Sequence, residues 1–227
     1  LEAQSSRDVV WITAQYLNFA TPPSVVDLRV DERVHGHQMS QSMLTATVDD
    51  VPIFTALAAL GSRATPWDGD FVVMPTVPDP EACTPRSPAP RWRNTFQSHM
   101  EARLASARTL EELDGTPGSG RATLWARIPD VTCDAAALAV LGDYVPWGIG
   151  QALGLEVGGN SLDNTLRIVH RPRSDDAGAW ILVDIASASV ADGFGHGRVN
   201  LWARDGRLLA TASQSVVVRE CDRPPAK

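Results

Sequence analysis

Positive charge is scarce in this chain. Twenty Lys and Arg residues stand against 27 Asp and Glu in 227 residues, a formal net charge of −7. No basic field is available to attract phosphate backbones or anionic lipid, which argues against a nucleic-acid or membrane-surface partner. Cysteine is also rare. Cys83, Cys133 and Cys221 are odd in number and lack metal-like spacing. They read as reduced, structural thiols of a cytoplasmic protein and exclude a disulfide framework. No apolar run reaches the ~18 residues of a membrane span. No signal peptide is visible, although the chain does not begin with Met. A Gly-x-Ser-x-Gly elbow is missing, so an α/β-hydrolase mechanism has no support. Gly193-Phe194-Gly195-His196-Gly197 lacks the Lys-Ser/Thr and the helix of a phosphate loop, and bending or close packing explains it better. His35 and His37 share one strand face but find no third ligand, which leaves no metal site. No cofactor is implied.

What the chain does contain is a copy of itself. Residues 24–60 lie over 180–216 without a gap, and residues 11–19 lie over 163–171 at a slightly shorter offset. A repeat this long marks a duplicated domain, not a solenoid unit. The copies differ where chemistry would sit. Trp11 aligns with Asp163, and Ala58 aligns with Gln214.

The patterning predicts strands. Residues 9–19 are β-branched and aromatic. Residues 24–32 alternate apolar and polar. Residues 38–48 and 52–60 flank the hairpin turn Asp49-Asp50. The second copy repeats this at 166–170, 180–189, 197–203 and 208–219. Between the copies, residues 64–90 hold seven of the sixteen prolines, which predicts an irregular, polyproline-like crossover. Residues 92–103 and 122–128 read as strands around a loop at 108–120. Residues 134–155 form the one long helical pattern, apolar nearly all round and therefore buried on most sides. Pro146 kinks or restarts it. Tyr144 and Trp147 within it read as core. The His170-Arg171 pair reads as structural.

A sheet wrapped around one long buried helix is the hotdog arrangement, an α+β fold. Two such units make a double hotdog whose sheets join edge to edge. The expected units are a first hotdog over 1–63, a crossover over 64–90 and a second hotdog over 91–227. At the Trp11-to-Asp163 offset, Leu1 corresponds to Leu153. The strands and helix that precede Leu153 in the second copy thus have no counterpart in the first. Roughly 50 or more upstream residues, or another chain, are expected to fill that place, with residues 1–5 as the last turn of the helix.

Several stretches resemble the acyl-CoA thioesterase II family of double-hotdog enzymes. They are Asn160-Ser161-Leu162-Asp163, His170-Arg171-Pro172, Ser187-Ala188-Ser189 with Gly193-Phe194, and Asp205-Gly206 with Thr211-Ala212-Ser213-Gln214. Leu141-Gly142-Asp143-Tyr144 sits where that family has a similar segment, and residues 10–63 resemble its first hotdog. The resemblance implies an Asp, a Ser or Thr and a Gln of the second unit holding a water against a thioester carbonyl. Carried over, these are Asp163 and Gln214. The hydroxyl position falls on Ala186, and Ser187 takes the role if a bulge shifts the register. The expected catalytic set is therefore Asp163, Ser187 and Gln214.

The chemistry is consistent with these residue types. A thiolate leaves readily, a carboxylate can deprotonate water, and an amide can orient that water or donate to the oxyanion. The expected function is hydrolysis of a fatty or modified acyl-CoA thioester, with a homo-oligomer compatible with the sequence. The alternative, which Ala186 favours, is a non-catalytic acyl-CoA-binding protein. A hydratase or dehydratase is disfavoured, because its Asp and His pair on one unit is not evident.

Overall fold

A computed structural model describes residues 1–87, 95–173 and 178–221. All its strands form one antiparallel sheet in the order β2-β3-β4-β1-β8-β11-β10-β9-β7-β6-β5. The first four are β1 (Val9–Tyr16), β2 (Asp27–His35), β3 (Met39–Val48) and β4 (Val51–Gly61). After the crossover come β5 (Thr84–Pro85), β6 (Glu101–Ser106) and β7 (Arg121–Arg127). Two helices follow, and then β8 (Val157–Ile168), β9 (Ile181–Ala191), β10 (Phe194–Ala203) and β11 (Leu208–Glu220).

The repeat is written into the topology. Reading inward from one side, the order β2-β3-β4-β1 meets its counterpart β9-β10-β11-β8, and the two halves join where β1 pairs with β8. The joint is a local pseudo-two-fold. Thr13 faces Thr165, its own repeat equivalent, and their hydroxyls meet at 2.6 Å. The registers also repeat. Trp11 faces Ala59 as Asp163 faces Ser215, and Ile12 faces Ala58 as Asn164 faces Gln214. Tight turns link the strands. Asp49 and Asp50 both take positive φ (48° and 64°), as do Asp192 and Gly193 (52° and 80°), the backbone that a two-residue hairpin needs.

The helical stretch is two helices, not one. α1 is the single turn Glu2–Ser5; α2 spans Ala135–Leu141 and α3 spans Val145–Leu153. Asp134 caps α2 by accepting from the Ala137 N–H at 2.9 Å. The chain breaks at residues 142–144, and Pro146 sits in the first turn of α3, where its missing N–H costs nothing. Pro146 therefore restarts the helix. Glycines let α3 lie close to the sheet. A Cβ on Gly195 would stand 2.3 Å from Ile149 Cδ1, and one on Gly197 would stand 2.9 Å from Val145 Cγ1. Close packing is thus the reason for Gly195 and Gly197, while Gly193 has open space around it and serves the turn. The core beneath the helices holds Leu138, Leu141, Val145, Ile149, Leu166, Val183, Ile185, Val199, Leu201 and Leu209. Against the first half, Leu1 and Ile12 pack on a small cluster of Val9, Ala58 and Leu60.

Three expectations need correction. The strand expected at 92–103 is β6, which starts at Glu101 after a 3-10 turn at Phe96–His99; residues 92–94 lie outside the described residues. The strand expected at 166–170 is β8, which starts nine residues earlier. The crossover is not wholly irregular, because Thr84–Pro85 adds the edge strand and Pro80–Ala82 forms a 3-10 turn. It packs on the outer face of the second half. There Cys83 joins Trp125, Trp180, Leu182, Trp202 and Leu208, and the Trp125 indole donates to the Pro78 carbonyl at 2.9 Å. His170 pins the crossover through Asp70 at 3.0 Å.

Candidate active site

Gln214 is the polar residue that most needs an account. It lies on β11 among Ala210, Ala212 and Val216, and it is 3% exposed. An amide there is costly unless it is bonded. Its Nε2 donates to Asp143 Oδ1 and, at 2.7 Å, to Ser161 Oγ. Strand alternation puts Gln214 on the helix-facing side with Ala212 and Ala210, which belong to the main core. Asp143 comes from the break between α2 and α3, at the N-terminus of α3. Ser161 comes from β8, just past the bulge between Ser215 and Val216 that turns it toward Gln214.

Asp143 and Ser161 line a cavity of about 790 Å³ that is also bounded by Met100, Leu104, Tyr144 and Trp147. Tyr144 and Trp147 meet edge to face with centroids 6.2 Å apart, and the Arg86 guanidinium stacks on both rings. The aromatic pair is therefore both core and cavity wall. Asp143 lines the cavity and is itself exposed there, with protein close on one side. That partial removal from bulk water pushes its carboxyl above the usual range, and the Gln214 N–H pulls it partly back. Tyr16, at the end of β1, feels the same site. Burial first, then the carboxylates of Asp143 and Asp163, raise its phenol.

Of the residues expected from sequence, only Gln214 is in this cluster. Asp163 shares its strand face with Thr165, which meets Thr13 on the side away from the helices. Its Oδ1 accepts the Ser215 N–H at 2.8 Å, beside the bulge where the ladder loses its regular bond. Ser187 faces α3, since a Cβ on Gly148 would lie 3.3 Å from its Oγ. That hydroxyl is buried and has no partner among the described residues. Ala186 turns to the outer face, between Arg121 and Arg198. No bulge brings either residue to Gln214. The sequence reading missed Asp143 and Ser161, although both stand in stretches that carry the family resemblance. Starting β8 at residue 166 left Ser161 off the strand, and the apolar helical pattern absorbed Asp143.

The family model for the acyl-CoA thioesterase C-terminal domain matches residues 80–218. The chain belongs to the acyl-CoA thioesterase family. A candidate thioesterase from Novosphingobium aromaticivorans, of known structure, is 34% identical, with 96% of this chain and 82% of that one covered at a TM-score of 0.82. Two more distant structures support the fold. A hot dog protein from Alicyclobacillus acidocaldarius is 22% identical (TM-score 0.81; 95% and 80% covered), and an acyl-CoA thioesterase II from Mycobacterium marinum is 17% identical (TM-score 0.69; 95% and 82% covered). No curated protein matches the chain. No described helix is long and apolar enough to cross a membrane.

Proposed function

We propose that this acyl-CoA thioesterase-family protein hydrolyses its thioester by direct attack of a water that Asp143 activates, with Ser161 and Gln214 completing the site. One observation carries the reading: a single buried amide bonds both a carboxylate and a hydroxyl that line the same cavity. The two N–H groups of Gln214 are used on Asp143 and Ser161. Ser161 Oγ accepts one of them, so its own proton is free to donate to the thioester carbonyl. Asp143 accepts the other and keeps lone pairs for a water. The water oxygen bonds to the acyl carbon as its proton passes to Asp143. The C–S bond then breaks, and the thiolate leaves with that proton. α3 begins without a side-chain cap. Its free N-terminal N–H groups and dipole lie beside Asp143 and suit the developing oxyanion. The apolar and aromatic walls suit an acyl chain. On this reading Asp163 holds the β8–β11 bulge and Ser187 packs under α3. The chain is then a double hotdog with units at 1–63 and 91–227 joined by the 64–90 crossover, and Thr84–Pro85 of that crossover extends the second unit's sheet.

The test is free-thiol release from a panel of acyl-CoAs by two variants in parallel. Asp143→Asn is expected to slow hydrolysis by about 10²–10⁴-fold, the size of general-base work. Asp163→Asn keeps an acceptor for the Ser215 N–H and is expected to change turnover little. The opposite ranking sinks this assignment. The non-catalytic alternative gains support only if the unaltered protein binds acyl-CoA and releases no thiol.

A further inference from the structure

The crossover covers only part of the outer face of the second half. At the other end of the same strands lies a depression of about 410 Å³, whose lining includes Arg121, Ala186, His196 and Arg198. Arg121 on β7 and Arg198 on β10 are both direct cross-strand neighbours of Ala186. Two guanidiniums thus flank one methyl group. Like charges so placed repel, and Asp184 beside Arg121 offsets only one of them. His196 is two residues from Arg198 on the same strand face. Its Nδ1 is engaged with Ser215 Oγ at 3.1 Å, which leaves Nε2 for the depression. None of the lining residues carries a carboxylate. The nearby acids are already engaged. Asp184 is buried, meets Arg121 at 3.6 Å and accepts from Asn200, while Asp163 holds the Ser215 N–H. Arg198 is exposed and makes no ion pair among the described residues. In a chain of net charge −7, a cationic hollow without a carboxylate is a local reversal of the mean field.

We propose that this depression binds a phosphate group, and that on an acyl-CoA it takes the phosphates of the nucleotide end. The second clause rests on the thioesterase reading above. Guanidinium forks match phosphate oxygens in pairs, and a neighbouring imidazole adds a third donor. Position supports the assignment. Residues 118–120 run between the two cavities. A Cβ on Gly118 would stand 2.9 Å from the Gln151 carbonyl at the acyl cavity, and one on Gly120 would stand 3.0 Å from the Ser187 carbonyl at the depression. The pantetheine arm joins a thioester to a nucleotide, and here it would cross that short wall.

Calorimetric titration with adenosine 3′,5′-bisphosphate reads the site without turnover. Arg198→Ala changes an exposed side chain, and the double variant Arg121→Gln/Arg198→Ala keeps a hydrogen-bond donor for the buried Asp184; both are expected to fold. Loss of one charged hydrogen-bonding pair should weaken the bisphosphate by about tenfold or more. Steady-state kinetics then distinguish the source of the phosphate. KM for acyl-CoA should rise by a similar factor at unchanged kcat, while KM for the matching acyl-pantetheine, which has no nucleotide, stays put. Weakened bisphosphate binding with an unchanged KM for acyl-CoA would leave a phosphate site for a separate ligand and overturn the CoA assignment. Unchanged bisphosphate binding in the double variant would overturn the site altogether. A protein that releases no thiol would refute the hydrolysis reading and leave the titration standing.

Discussion

Asp143 carries two demands that pull against each other. To act as a base it must be ionised, yet its recess favours the protonated form and raises its pKa. The acidic limb of kcat/KM should therefore lie above the ordinary aspartate value of about 3.9. A pH–rate profile checks this, and a limb at or below that value would contradict it. The sign for stability follows from the same shift. A folded-state pKa above the unfolded one gives a contribution that is complete below about pH 3.9 and is lost as pH rises through the folded value. In its ionised form the carboxylate is thus a burden on the fold, lightened because the cavity leaves it partly solvated. Asp143→Asn should melt at the same temperature as the parent or higher while it loses activity. A variant that is inactive because it is less stable would point to a structural role instead.

The elements show how far the sequence could be read. The strands and their order follow from the repeat, because Thr13 and Thr165 occupy equivalent places on both sides of one joint. The chemistry was half legible. Gln214 stood out as an amide in an apolar strand; Asp163 drew attention by contrast with Trp11, and its carboxylate accepts the Ser215 N–H beside a bulge while Asp143 bonds Gln214. Period-two patterning cannot show where a bulge exchanges faces, and that exchange is what brings Ser161 to Gln214. Asp143 was hidden in one long apolar helical pattern, and the break before Pro146 frees it to face the cavity. The placement of α3 then decides the site, and Gly148 sets that placement. A Cβ there would stand 2.4 Å from Ile185 Cγ2, a β-branched side chain with little freedom to move. Gly148→Ala should cost roughly 1–3 kcal/mol by overpacking, as read by urea denaturation. It should also lower kcat, because α3 carries the residues that follow Asp143. A variant of parental stability would show that α3 has slack against β9.

At the scale of the whole molecule, the joint between the halves decides whether they behave as one body. β1 and β8 would each be a sheet edge without the other, and pairing removes both edges. The pairing has a polar centre. The Thr13 and Thr165 hydroxyls bond each other at 2.6 Å, and Thr165 is 9% exposed. Removing one hydroxyl leaves its partner without that bond and poorly reached by water, at a cost of about 1–3 kcal/mol. Removing both leaves two β-branched methyl pairs of similar shape on a sheet, which is close to neutral. Thr13→Val and Thr165→Val alone should therefore destabilise, and the double variant should recover most of the loss. In a double-mutant cycle this gives a coupling of about 1 kcal/mol or more between residues 152 positions apart. The parent and all three variants should unfold in one transition if the sheet is continuous through the joint. Additive losses with no recovery would mean that the hydroxyl pair is incidental to the pairing. Two separate transitions would mean that the halves are tethered, not joined, and would remove the reason for Tyr16 of the first half to stand beside the Asp143 site of the second.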